Sequence, residues 1–94
     1  MKLSPFVHQF FDHYLPHLKG VSPYTLNAYR DAFKLFLPFA APHYGIKVTS
    51  LRIEHLSSEL ILSFLEDLQK ERNNLPRTRN QRLAALKSFA RMIR

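Results

Sequence analysis

Apolar positions along this chain recur at intervals of three and four, and the breaks between them mark out four helical stretches. The first carries Phe6, Val7, Phe10, Phe11, Tyr14 and Leu18 on one side. Ser4-Pro5 is suited to open it, with Ser4 as N-cap and Pro5 at the first helical position. Pro16 has no backbone donor, which predicts a kink or an end near Leu15, and Lys19-Gly20 supplies the turn. The second stretch opens at Ser22-Pro23 and buries Leu26, Tyr29, Phe33, Phe36, Leu37 and Ala40. Pro38 and Pro42 predict its end between Leu37 and Ala41. Residues 42–56, starting with the PHYG run, read as a loop that Val48, Leu51, Ile53 and Leu56 tack onto the core. Ser57 is the expected N-cap of a third helix with the stripe Leu60, Ile61, Phe64, Leu65 and Leu68. Its first turn holds Glu59, where the helix dipole favours an anion. Arg72-Asn73-Asn74 then turns the chain into a fourth helix. No apolar run alternates with period two, so no strand is expected. The predicted class is all-α, a compact four-helix bundle.

The fourth stretch, LPRTRNQRLAALKSFARMIR from Leu75, divides into two contrasting faces. Leu83, Leu86, Phe89, Ala90 and Ile93 share one arc of the helical wheel. Arg77, Asn80, Gln81, Lys87, Ser88 and Arg91 share the other, with only the small Ala84 among them. Such a polar face can approach a phosphate backbone and still offer amides to base edges. Two registers are open for its start. Pro76 at the first position leaves Leu75 as the cap, whereas Thr78 with Gln81 three residues on forms a capping box. In either register Arg77, Arg79 and Arg82 crowd the first turns, at a cost of a few tenths of a kcal/mol each, or about that, against the dipole. A phosphate bound there would reverse that sign.

The second and fourth stretches repeat one another. When SPYTLNAYRDAFKLF from Ser22 is laid on LPRTRNQRLAALKSF from Leu75, Pro23 meets Pro76, Thr25 meets Thr78 and Asn27 meets Asn80. Ala32, Lys34 and Phe36 meet Ala85, Lys87 and Phe89. Shared helix openings explain the Pro and Thr matches. The shared polar edge points further, to two helices working on one ligand.

Composition sharpens this picture. Ninety-four residues, 46% hydrophobic and with eight Phe, suffice for one small domain with a modest core. The absence of cysteine excludes disulfides and thiolate metal sites. No apolar run approaches a membrane span and no signal-peptide layout opens the chain, so a soluble cytoplasmic protein is the expectation. Charge is uneven. Residues 1–70 hold seven Lys/Arg against six Asp/Glu, while residues 71–94 hold seven against Glu71 alone, within a net charge of +7. A basic quarter on a nearly neutral body is the footprint of a polyanion-binding surface, although a solvated basic helix face gives the same count.

The order of residues resembles a known family. The run S-x-x-T-L-x-x-Y-R-x-x-x-x-x-F (Ser22, Thr25, Leu26, Tyr29, Arg30, Phe36) is followed by LILSFLEDL and then P-x-T-x-N-x-x-L-A-A-L-K-S-F from Pro76 to Phe89. Together they are similar to the N-terminal core-binding domain of tyrosine recombinases, the phage-integrase family, over roughly Phe6 to Ile93. The resemblance implies a SAM-like orthogonal bundle that packs on one side of a recombination site, its second and fourth helices facing the major groove. Carried over by position, it implicates Ser22, Tyr24, Thr25, Asn27, Arg30 and Lys34 on helix two. On helix four it implicates Arg77, Thr78, Asn80, Gln81, Ala84, Lys87, Ser88 and Arg91. The position after Thr78 is usually apolar in the family, but Arg79 stands here, so it either snorkels outward or contacts DNA itself.

The family's catalytic tyrosine and its arginine, lysine and histidine helpers belong to a separate C-terminal domain, and no segment here matches it. Tyr14, Tyr24, Tyr29 and Tyr44 lie on or beside the helices. Residues 1–94 are therefore expected to be a single DNA-binding domain, excised from a longer site-specific recombinase, that binds and does not cut. Its expected partners are double-stranded DNA, the catalytic domain of the same polypeptide and other recombinase subunits in a tetramer. No cofactor or metal is expected. His13 and His17 have ligand spacing, but Pro16 lies between them and no third ligand is placed. With Gly20 and Gly45 the sole glycines, a phosphate-cradling loop of the P-loop kind is excluded. The rival reading is a small helical protein-interaction module that presents Phe6, Phe10, Phe11 and Tyr14 as a docking surface without binding DNA. Helical periodicity favours a core role for those rings.

Overall fold

The computed structural model describes residues 1–18, 20–71 and 76–93. Helix one (residues 4–17) is built from an α-helical segment Ser4–Gln9, a wider π-type turn Phe10–Tyr14 and a last α-turn Leu15–His17. Helix two is Pro23–His43, helix three Ser58–Glu71 and helix four Pro76–Ile93. Short 3₁₀ turns at Val48–Ser50 and Ile53–His55 lie in the connection between helices two and three. Among the described residues there is no strand, only an isolated antiparallel bridge between Lys2 and Arg52. The all-α four-helix reading holds. The turns expected at Lys19 and at Arg72-Asn73-Asn74 lie outside the described residues, although Gly20 has the positive φ expected of it, 85°.

Helix one differs from the expectation in two ways. Ser4 is inside the helix and does not cap it, because the Leu3 carbonyl already accepts from the Phe6 and Val7 amides. The π-type turn, in which the Leu15 amide reaches back to the Phe10 carbonyl, adds a residue to the turn just before Pro16. That spacing rotates the following residues on the wheel. Phe10 and Leu15, five apart, are both fully buried, whereas Leu18 is 38% exposed. The helix ends at His17, close to the expected break, and Leu18 is extended.

Helix two also runs further than expected, through Pro38 and Pro42 to His43. Both prolines are exposed, so the donors they lack are missing from the solvent side, where water can satisfy the freed carbonyls. The opposite side buries Ala40 and Ala41 and half-buries Phe39, which holds the last turns in place. Gly45 sets the end. At φ 67° it donates to the Pro42 carbonyl, and the Ile46 amide reaches the Ala41 carbonyl, a Schellman motif. Pro42 and His43, read as loop, are therefore helix.

A chain of rings threads all four helices. Phe10 of helix one packs edge-on against Phe89 of helix four at 5.4 Å and stacks 6.4 Å from Tyr29 of helix two. Phe33 contacts Phe89 at 5.3 Å, and Phe36 meets Phe64 of helix three at 5.1 Å. Leu51 is buried, and Ile53 and Leu56 pack on this core, as the pattern predicts, but Val48 is 42% exposed. The connection is tied to the chain's first residues by hydrogen bonds from Leu3 to the Leu51 carbonyl and from Ile53 to the Met1 carbonyl. Tyr44 donates its hydroxyl to the His55 carbonyl at 2.6 Å.

Candidate nucleic-acid interface

The internal repeat survives in three dimensions. Along helix two the exposed residues of the stripe are Tyr24, Asn27, Asp31, Lys34 and Pro38; along helix four they are Arg77, Asn80, Ala84, Lys87 and Arg91. These are the same positions of the repeat. Burial agrees at the positions between them too, apart from Arg30 against Leu83, Leu35 against Ser88 and Ala40 against Ile93. One amphipathic pattern has thus been folded twice into the same orientation relative to the core.

The two copies are also neighbours. Arg82 Nη1 donates to the Ala28 carbonyl at 3.3 Å, which joins the second turn of helix four to the second turn of helix two. One helical turn or more further on, Phe89 lies against Phe33. The openings of the two helices therefore lie side by side, each bearing an exposed stripe. Arg82 takes the repeat position of Tyr29 and is half-buried, and its Nε has no partner among the described residues. Sequence reading left it among the crowded first-turn arginines. Its place at the edge of the apolar arc was the available signal.

Helix two starts as expected. Ser22 is extended, and its Oγ accepts from the Thr25 amide at 3.1 Å and lies 3.1 Å from the Thr25 hydroxyl. Those two hydroxyls hold the helix opening. Tyr24 is 69% exposed, and Asn27 and Lys34 are exposed beyond it. Arg30 is exposed at the flank, with its guanidinium 5.9 Å from the centre of the Phe11 ring, a cation–π contact to helix one.

Helix four begins at Pro76, so Thr78 and Gln81 are inside the helix and do not form its opening box. Leu75, the other possible cap, lies outside the described residues. Arg77, Asn80, Lys87 and Arg91 are exposed, and Thr78 and Gln81 are half-buried. Arg79 snorkels outward and donates to Gln69 Oε1 of helix three. Ser88 lies apart from the other candidates: at 8% exposure it belongs to the buried side of the helix, beside Ala85 and Phe89.

Other chemistry is sparse. An apolar cleft of about 410 Å³, lined in part by Phe36, Ile53, Leu56, Ile61 and Ile93, offers Ser57 and Ser58 as its polar side chains among the described residues. Ser57 caps helix three by accepting from the Leu60 amide. No cluster of metal-ligating side chains occurs among the described residues. The His17 ring uses Nδ1 on the His13 carbonyl. Among the described residues, no helix is long and apolar enough to cross a membrane.

Comparison with known proteins decides the family. The model of the phage integrase N-terminal SAM-like domain matches residues 8–94. The chain belongs to that family. Two proteins of Sinorhizobium fredii (strain NBRC 101917 / NGR234), provisionally named integrase/recombinase y4rD and y4rC, are similar to it. The first is 40% identical over 87 residues, covering 93% of this chain and 31% of the relative. The second is 36% identical over 89 residues, covering 95% and 27%. The chain thus spans about a third or less of the length of these relatives. No solved structure matches it significantly. Membership in the integrase family gives the domain a recombinase-associated role and sets it apart from a catalytic domain. The aromatic residues of helix one, which the rival reading offered to a partner, are largely spent on the core.

Proposed function

We propose that this chain binds duplex DNA as the core-binding domain of a site-specific tyrosine recombinase, contacting the recombination site through helices two and four. The observation that carries the reading is the pair of matching exposed stripes on adjoining helices, which together hold Lys34, Arg77, Lys87 and Arg91. These cations suit phosphates, and the matched Asn27 and Asn80 suit base edges, because an amide pairs bidentately with adenine. Gln81, half-buried beside them, is a third amide within the same turn. The partners in this reading are double-stranded DNA, the catalytic domain of the same polypeptide and, on paired sites, further recombinase subunits. This domain holds the site while the catalytic domain does the chemistry.

The test is duplex binding by fluorescence anisotropy, titrated from low to physiological salt, with the Arg77→Ala/Lys87→Ala double variant in parallel. Each phosphate contact contributes about −0.9 to the slope of log K against log salt, so losing two should flatten the slope by about 1.8. Affinity should fall alike on all sequences. Replacing Asn80 or Gln81 should instead alter preference among sequences. Equal affinity and slope in wild type and double variant would refute this face. Absence of binding even at low salt would move the domain to the protein-interaction reading.

A further inference from the structure

We infer that Asp31 is a base-selecting residue of the DNA-facing stripe, and that it recognises cytosine. The inference rests on the DNA-binding reading above and goes beyond it to sequence choice. The two stripes agree on either side of this position, with Asn27 matching Asn80 and Lys34 matching Lys87. Between them helix two carries Asp31 and helix four carries Ala84. Residue 31 is four after Asn27 and three before Lys34, so its side chain lies between theirs and neighbours each of them on the same exposed strip.

Asp31 has no structural use that accounts for it. It is exposed, and no ion pair or side-chain hydrogen bond among the described residues involves its carboxylate. Its neighbour Lys34, one turn on, forms no ion pair with it among the described residues, and the adjacent cation, Arg30, reaches across to Phe11 of helix one. Against DNA, a lone carboxylate repels every phosphate, and that cost is independent of sequence. A donor on a base edge offsets it in a way that depends on sequence. In the major groove cytosine shows its N4 amino group as a donor, while adenine sets an N7 acceptor beside its N6 amino group. A carboxylate is acceptor-only, so N7 repels it and cytosine is the better fit. Ala84, at the equivalent place on helix four, has no charge and leaves that helix without such a reader.

The chemistry predicts a change of letter. Asp31→Asn exchanges an acceptor-only group for a donor–acceptor pair, which suits adenine. The experiment is selection from duplexes with a randomised centre, followed by anisotropy on the selected sequences, for wild type, Asp31→Asn and Asp31→Ala. Wild type should prefer cytosine at one position, by on the order of tenfold over other bases. Asp31→Asn should move that position to adenine and leave the others unchanged. Asp31→Ala should lose the preference there while binding unrelated duplexes more tightly at low salt. Identical preferences in all three proteins would overturn the proposal and leave DNA binding intact. Salt-dependent wild-type binding with no preference at any position would do the same. If wild type binds no duplex, both this inference and the reading beneath it fail. Because Asp31 is exposed and unpaired among the described residues, all three proteins should melt alike, which checks that folding is not the variable.

Discussion

Replacing Pro38 by Ala should stabilise this domain, although proline-to-alanine changes at structured positions are commonly feared as disruptive. Pro38 lies inside helix two, five residues from its end at His43, and its ring is exposed. A proline there withholds the amide that would reach the Lys34 carbonyl, and its ring crowds that same carbonyl. The intrinsic gap between proline and alanine in a helix interior is about 3 kcal/mol. The restored hydrogen bond accounts for about 1 kcal/mol of this, since it lies on the solvent side where water already competes. Relief of the ring clash supplies the rest, reduced by whatever adjustment the helix has already made. Little apolar burial is lost, because the core contacts of this turn come from Phe39, Ala40 and Ala41. A net gain of about 1–3 kcal/mol follows. For a domain of this size each kcal/mol moves Tm by about 4–8 °C, so the variant should melt roughly 4–24 °C higher. Thermal and urea unfolding by far-ultraviolet circular dichroism measure it. Pro42→Ala, within the turn already fixed by the Gly45 motif, should gain less. If Pro38→Ala lowers Tm, the ring itself must shape the packing of helix two, and the account of why this helix passes two prolines is wrong.

Three further outcomes follow from the packing. Phe10→Ala removes the ring that touches Phe11, Tyr14, Tyr29, Phe33 and Phe89; it should cost about 3–5 kcal/mol in urea unfolding, and a loss below about 1 kcal/mol would deny it that central place. Ser88→Ala should leave DNA affinity unchanged because the residue is buried, whereas Lys87→Ala one position earlier should weaken binding; parallel anisotropy titrations at one salt concentration separate them. The hydrogen bond from the Met1 ammonium, 2.8 Å away, holds the Glu54 carboxyl down at about 2 from an ordinary 4.5. A folded-state pKa below the unfolded value means that this stabilisation is complete above about pH 4.5 and disappears as pH falls through about 2. NMR titration of Glu54 should show the low midpoint, and a short peptide placed before Met1 should raise it.

Much of the architecture was legible because the core-facing residues recur with a helical period and do so twice. The stripes of helices two, three and four needed little more than a wheel, and Ser22 and Ser57 cap where their position predicts. What escaped the sequence depended on tertiary context. The π-type turn shifts burial from Leu18 to Leu15, and a strict 3.6 period cannot anticipate an added residue. Helix two outlasts its prolines because burial on one side outweighs donors missing from the other, and Gly45, not Pro38, ends it. Ser88 was grouped with the polar face by residue type, yet its small side chain fits the packed side between Ala85 and Phe89.

The candidate site was legible to a different depth. A wheel identifies which residues reach solvent, and the repeat points to a cooperating pair, but only the fold shows that the openings of the two helices meet at Arg82 and Ala28. In the proposed function that contact bears on recognition. A half-buried guanidinium with one long hydrogen bond and an unpartnered Nε is a poor source of stability, since an unmet buried donor costs about 1–3 kcal/mol. Its geometric effect is to tie the two helices together next to Asn27 and Asn80, one residue before and two residues before its own two ends. Two readers on separate helices can select a sequence only if their separation is held constant, because base pairs come at a fixed rise. In this fold the constancy comes from Arg82 and from the Phe33–Phe89 pair beneath it, which makes the side-by-side placement of the two repeats, and not either helix alone, the unit that recognises DNA in the proposed function.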